Sequence, residues 1–341
     1  MSYIKYSVLD LVTVSKGESV QQAIARSTDT AMLTDKLGYE RYWFSEHHNM
    51  PNVASAATSI LIGHIAQATR HIRVGSGGIM LPNHSTLLIA EQFGTLGSIY
   101  PGRIDLGLGR APGTDSLTAM TIRKQSLHQP YDFRHHIREL QQYFSPDNHT
   151  AKVRALPGEG VDIPLYILGS STDSAYLAAQ MGLPYAFAAH FAPTHFAEAL
   201  YIYHHNFQPS AVLKEPYAIA CIQVLIGKDS AHAEGLATSV YRNFLNIVTD
   251  NRTPMEAPVT PETMRQLWTP EQEAYVKNML QYAVIGDTQT AAGKLYNFLE
   301  AYPVQELMAL TQTFYQEDRR YSYIQLQSIM NNYNAQAPAS N

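Results

Sequence analysis

The chain has 341 residues, of which 45% are hydrophobic and 16% charged, and its 24 Lys+Arg against 29 Asp+Glu leave a net charge of −5. That composition excludes a disordered chain, which is charged and poor in aromatics, and a general nucleic-acid binder, which carries a basic excess. A single cysteine, Cys221, excludes an internal disulfide and any thiolate-based metal cluster.

The charge is unevenly spread. No Asp, Glu, Lys or Arg occurs from 47 to 69 or from 74 to 90. The first stretch is long enough to cross a bilayer. Its His47, His48, Asn49, Asn52, His64 and Gln67 are costly in hydrocarbon, so no membrane span is expected. The opening Met1-Ser2-Tyr3-Ile4-Lys5 shows no cationic stretch running into an apolar one. The expectation is a soluble, cytoplasmic protein.

Short apolar runs alternate with helical patterns along the chain, the signature of parallel α/β architecture. Strands are expected at 6–10, 41–44, 72–76, 103–109, 164–168, 184–188, 217–226 and 306–310. Between them lie helical stretches at 19–37, 54–69, 85–99, 117–144, 172–181, up to about 207, and 229–248. After the seventh strand come further helices, one of them capped by Asp287, and a last one at 316–332. Ser19 caps the first helix, and Gly38 and Gly182 stop two of them. Eight such units point to a (β/α)8 TIM barrel, with an open doubly wound sheet as the alternative. One domain over 1–333 and a disordered tail over 334–341 are expected. The proline- and threonine-rich insertion at 250–273, after strand seven, reads as a mobile lid or as a plain surface excursion.

In a barrel, function sits beyond the C-terminal ends of the strands. The polar and glycine-rich groups there are Asp10, Ser45-Glu46-His47-His48, Gly75-Ser76-Gly77-Gly78, Gly107-Leu108-Gly109-Arg110, Gly169-Ser170-Ser171 and Ala189-His190. Adjacent histidines on an extended segment point to opposite sides, so a metal site is not expected. His47 suits general acid–base work near neutral pH, or a purely structural hydrogen bond. Gly77 and Gly78 permit close backbone approach to a planar ligand, or form an ordinary loop. Arg110 suits bidentate capture of a phosphate, or a surface ion pair. Ser170, Ser171 and Ser174 stand at a helix N-terminus that attracts anions and that serines also cap. Walker A and dinucleotide-binding glycine patterns are absent.

Taken together, Phe44-Ser45-Glu46-His47-His48, Gly77-Gly78-Ile79-Met80-Leu81-Pro82-Asn83-His84, Ala90-Glu91-Gln92, the run from Tyr100 to Gly113 and Ile285-Gly286-Asp287 resemble the bacterial luciferase-like monooxygenase family. The resemblance covers about residues 4–330. It implies a barrel binding FMN at its C-terminal face, with a non-proline cis peptide joining Gly77 to Gly78. Arg110, Ser171 and Ser174 would hold the phosphate, within the loop Gly169-Ser170-Ser171. His47, with Glu46 beside it, would be catalytic.

Reduced flavin and O2 would oxygenate a small organic substrate through a C4a-peroxyflavin. NAD(P)H would be the direct reductant, or the indirect one through a separate flavin reductase. A deazaflavin-dependent oxidoreductase and a non-catalytic FMN store are the alternatives, and a metal-dependent hydrolase built on the histidines is a third class. Gly109 and Ser170 replace the family's reactive cysteine and glutamate, which argues against light emission. In the family, the second and third helices pack against a second subunit. The two charge-poor windows would then be part flavin pocket and part homodimer seam, with Ala54, Ala56, Ala57, Gly63 and Ala66 allowing close helix approach.

Overall fold

The computed structural model describes residues 3–123 and 131–336. In chain order its elements are β1 (Lys5–Asp10), α1 (Val20–Lys36), β2 (Arg41–Phe44), α2 (Thr58–Ala68), β3 (Arg73–Met80), α3 (Thr86–Ile99), β4 (Ile104–Gly109), α4 (Ser116–Arg123) and α5 (Phe133–Phe144). They continue as β5 (Leu165–Gly169), α6 (Thr172–Met181), β6 (Tyr185–Phe187), α7 (Phe196–His205), β7 (Ala218–Ile226) and α8 (Ser230–Val248). The last are α9 (Pro261–Leu267), α10 (Pro270–Met279), β8 (Val284–Gly286), α11 (Thr288–Ala301), β9 (Glu306–Leu310) and α12 (Gln316–Asn334).

The strands close into a ring. β1 to β6 pair in sequence, β6 pairs with β7, β7 with β9, and β9 returns to β1, all in parallel. This is a (β/α)8 TIM barrel, and the open-sheet alternative falls with the closure. β8 is an extra strand outside the ring, paired only with the far end of β7 through Val224↔Val284 and Ile226↔Gly286. It is too short to carry a readable pattern.

Local chemistry sets many of the helix ends. The Ser19 hydroxyl accepts from Gln22 N, and the Gln22 side chain accepts from Ser19 N, so α1 opens on a capping box. Gly182 closes α6 with φ +60°, which favours glycine. Asp287 caps α11 by accepting from Thr290 N.

Three expectations are corrected. The helical stretch at 117–144 divides into α4 and α5, with 124–130 outside the described residues. The insertion at 250–273 is not a free strap. Met255 is buried and pairs with β1's loop, Met255 N donating to Val14 O at 2.9 Å and Lys16 N to Met255 O at 2.8 Å. Its Thr-Pro pairs are helix starts: Thr260 and Thr269 cap α9 and α10, with Pro261 and Pro270 in the first turn. Asn334, expected in the tail, belongs to α12, and its amide exchanges two 2.9 Å bonds with the backbone of Ile4. Residues 337–341 lie outside the described residues.

The N-terminal end of the barrel interior is plugged by charge. Arg41 donates to Glu306 (2.7 Å), Asp105 (2.7 Å) and Tyr166 (2.8 Å). Arg73 and the Trp43 indole also donate to Asp105, and Tyr217 donates to Glu306 at 2.6 Å. Arg41, Asp105 and Glu306 are all buried. An ion cluster this far from water holds because every carboxylate oxygen of Asp105 and Glu306 finds a donor. Above it, Leu9, Trp43, Tyr166, Ala186, Ile219, Cys221, Met308 and Leu310 form an apolar cluster.

Candidate active site

The strand ends of this barrel place the expected groups in two halves of one mouth. β2 ends at Phe44, and Ser45, Glu46 and His47 follow it. Glu46 turns inward. Its carboxylate accepts from His48 Nε2 at 2.9 Å, from His84 Nε2 at 2.9 Å and from Met80 N at 3.0 Å. Burial alone would raise its pKa, but these bonds outweigh burial and hold it down to about 2. Glu46 thus ties the ends of β2 and β3 together from an interior network, beside His47.

His47 does reach the mouth. Its Nδ1 lies 3.2 Å from the carbonyl of Gly113, and the His48 amide donates to the same oxygen at 3.3 Å. Gly113 has φ +66°, and a Cβ there would meet the Glu46 carbonyl at 2.7 Å. With Nδ1–H donating to Gly113, the ring keeps the tautomer whose Nε2 carries a free lone pair. Burial lowers the His47 pKa below 6.5, only partly offset by Gly113 and Glu46. The ring is therefore a neutral base at pH 7.

β3 carries the expected cis peptide between Gly77 and Gly78. Its register against β4 shifts between Ser76 and Ile79. A Cβ on Gly78 would lie 2.6 Å from the backbone Gly107 O, so that position requires glycine, whereas one on Gly77 would press on the movable end of Leu9 at 2.9 Å.

The ends of β4 and β5 form a second group. The exposed Arg110 guanidinium makes one long contact, 3.4 Å, with Asp173. Ser171 is the N-cap of α6 in extended geometry, yet its side chain makes no capping bond. The first-turn N–H groups of α6 are thus uncapped beside Arg110, which is the chemistry of an anion site. Ser170 stands partly exposed between β5 and α6. Ser174 does not join them. Its hydroxyl donates to Ser171 O at 2.7 Å and lies 3.1 Å from Tyr185 OH, tucked under Gly169, where a Cβ would overlap it. In this arrangement the Ser174 hydroxyl shapes the turn that leads into α6.

Across the mouth lies a cavity of about 300 Å³ whose lining includes His47, His190, Gln223, Gln312, Asn243 and Arg252. It draws on the ends of β1, β2, β6, β7 and β9 and on residues 250–253 of the insertion. Leu11, Met50, Val53, Phe191, Phe244 and Ile247 supply its apolar walls. The ends of β4 and β5, which carry Arg110 and Ser171, lie on the other side of the ring. A barrel mouth with an anion-binding half and an enclosed, mostly apolar half can hold a phosphorylated cofactor facing a small organic molecule.

A model of the luciferase-like monooxygenase family matches residues 4–305. The chain belongs to that family. It is 47% identical over 318 residues to the uncharacterised protein YvbT of Bacillus subtilis, covering 93% of this chain and 94% of that one. A luciferase-like monooxygenase of Escherichia coli K12 is 43% identical over 320 residues, covering 94% and 95%. The solved structure of apo-MsnO8 superposes with a TM-score of 0.88 at 29% identity, covering 96% of this chain and 99% of that one. The protein is a monooxygenase, an oxidoreductase that acts on a substrate with O2.

The cavity of this monooxygenase also holds residues that strand-end reasoning left out. Gln223 and Gln312 meet inside the cavity, and Arg252 comes from the insertion. A lone glutamine inside the apolar run of β7 was the available signal. Among the described residues, no group of three or more His, Cys, Asp or Glu is placed to hold a metal, and no helix is long and apolar enough to cross a membrane.

Proposed function

We propose that this monooxygenase works with FMN, its phosphate held by Arg110, the Ser171 hydroxyl and the first-turn N–H groups of α6, and its ring lying against Gly77–Gly78. The observation that carries this reading is the uncapped start of α6 beside a loosely paired arginine, across the barrel mouth from the His47 cavity. Reduced FMN, when bound, supplies the electron pair that activates O2. NAD(P)H delivers those electrons, directly or through a separate flavin reductase.

The chain's own residues do the rest. Arg110 gives up its long contact with Asp173 and meets a dianionic phosphate in fork geometry. His47, neutral and oriented by Gly113, takes or returns a proton at Nε2. The apolar walls limit water around the reacting groups.

Fluorescence titration tests the phosphate assignment. Arg110→Met is expected to raise the FMN Kd about 10–100-fold, the value of a charge-assisted fork of roughly 1.4–3 kcal/mol. Riboflavin, which lacks the phosphate, is expected to bind both proteins alike. Equal FMN affinity in the two proteins would remove Arg110 from the site. A parallel titration with a deazaflavin decides between the two cofactor classes.

A homodimer through α2 and α3 completes the reading. Of the small residues expected at the seam, Ala66 is buried in the barrel's own core and Gly63 faces Leu96. The outward stripe is instead Leu88, Gln92, Thr95 and Ile99 on α3, beside Ile60, His64 and Gln67 on α2. It bears no Asp, Glu, Lys or Arg, and Ile60, Leu88 and Ile99 are exposed. Sedimentation at micromolar concentration is expected to give a dimer, and Leu88→Lys with Ile99→Lys a monomer. A wild-type monomer would sink the seam.

A further inference from the structure

The cavity beside His47 holds no charge free to receive an ionic ligand. Among the described residues Arg252 is the one Lys or Arg in its lining, and unlike Arg110 it already faces two carboxylates. Its guanidinium lies 3.1 Å from Asp115 and 3.4 Å from Asp250, and it also donates to the Asn49 carbonyl at 3.3 Å. Asp250 is the one acidic residue in the lining, and it is the same pair's partner. The amides satisfy one another as well. Gln223 donates to Gln312 at 3.0 Å, Gln312 to Thr13 at 3.2 Å and Asn52 to Asn243 at 2.9 Å.

Besides the free Nε2 of His47, one polar group is left over among the described residues. His190 follows β6 and lines the cavity, and its Nδ1 is buried without a hydrogen-bond partner. The Cys221 backbone is near the ring, but outside hydrogen-bond geometry. A buried polar atom left unpaired is costly, so an orphan in a cavity wall marks where a ligand atom belongs. An ionic ligand would fare badly here. It would shed its water and find only charges that already pair with each other.

We propose that this monooxygenase selects an uncharged substrate, an apolar skeleton bearing one hydrogen-bonding group, and that His190 is the residue that receives that group. The inference rests on the flavin reading only in taking this half of the mouth as the substrate's side. Burial, and next the neighbouring His47, push the His190 pKa down to about 3. The ring is therefore a neutral partner, able to offer a donor and an acceptor but not a charge.

Four probes with one skeleton and different heads test this: 4-phenylbutan-2-one, 4-phenylbutanamide, 4-phenylbutanoate and protonated 4-phenylbutylamine. Their Kd values are measured by ligand-detected NMR near neutral pH, with and without FMN. The two neutral probes are expected to bind about tenfold or more tighter than either ion. His190→Phe is expected to erase most of that preference, and His190→Gln, which restores a hydrogen-bonding head, to recover part of it. Selectivity between heads is a readout that a merely structural role would not move. Should the phenylalanine variant fail to fold, the glutamine variant against wild type carries the comparison.

The proposal is overturned if either ion binds as tightly as the neutral probes. It is overturned if the preference survives His190→Phe intact, or if neither neutral probe binds at millimolar concentration. Flavin titration on the same samples separates the two readings. Discrimination without FMN binding sinks the flavin assignment alone, and FMN binding without discrimination sinks this proposal alone.

Discussion

Arg41→Met is expected to lower the unfolding free energy by about 3–5 kcal/mol, the cost of stripping a buried ion cluster of one partner. Arg41 reaches two carboxylates at once, Asp105 and Glu306, each at 2.7 Å. Removing it leaves Glu306 with hydroxyl donors only, from Ser7 and Tyr217. Asp105 keeps Arg73 and the Trp43 indole, so Glu306 bears the larger loss. Arg41→Lys is expected to lose most of the same stability, because an ammonium cannot present the fork that bridges the two. Urea unfolding measures both. Arg154→Met, which breaks an ion pair with Glu159 at the surface, serves as the control and is expected to change stability little. If Arg41→Met changes it as little, the cluster is not what holds the barrel's lower end.

His47→Ala is expected to lower substrate turnover about 10²–10⁴-fold with FMN affinity unchanged, the range for a lost general acid or base. Its pH profile follows from the ring's environment. The neutral imidazole exists above its folded pKa, and burial lowers that pKa from 6.5. The wild-type rate should therefore hold as pH falls through 6.5 and decline only below it. A variant with full turnover would remove the proton-transfer role. A decline centred above 6.5 would show that the ring is not desolvated.

Much of the architecture was legible in one dimension. Seven of the eight barrel strands were located within a residue, because a strand buried on both faces writes itself as an apolar run between turn signals; the third was ended at 76, although it runs through its glycines to Met80. Ser19, Gly182 and Asp287 marked helix ends because their side-chain chemistry, or lack of a Cβ, acts locally. The insertion was less legible. Thr260-Pro261 and Thr269-Pro270 are helix-start signals, but proline and threonine together resemble loop composition. Ser174 stands in the first turn of α6, and its hydroxyl bends back to Ser171. No local pattern reports which way a first-turn side chain turns.

The sequence by itself determined which groups stand at the strand ends: Glu46 and His47 after β2, Gly77 and Gly78 in β3, Arg110 after β4, Ser171 after β5. It did so because a barrel's connectivity fixes the end at which each loop emerges. Tertiary structure decided how they divide. Closure of β6 on β7 and of β9 on β1 brings His47, His190, Gln223 and Gln312 around one cavity, though they span residues 47 to 312. It also buries Glu46 among His48, His84 and Met80 and leaves His47 at the mouth. Burial and pairing are properties of surroundings drawn from distant parts of the chain. That is why two adjacent residues, equally prominent in the sequence, come to do different work.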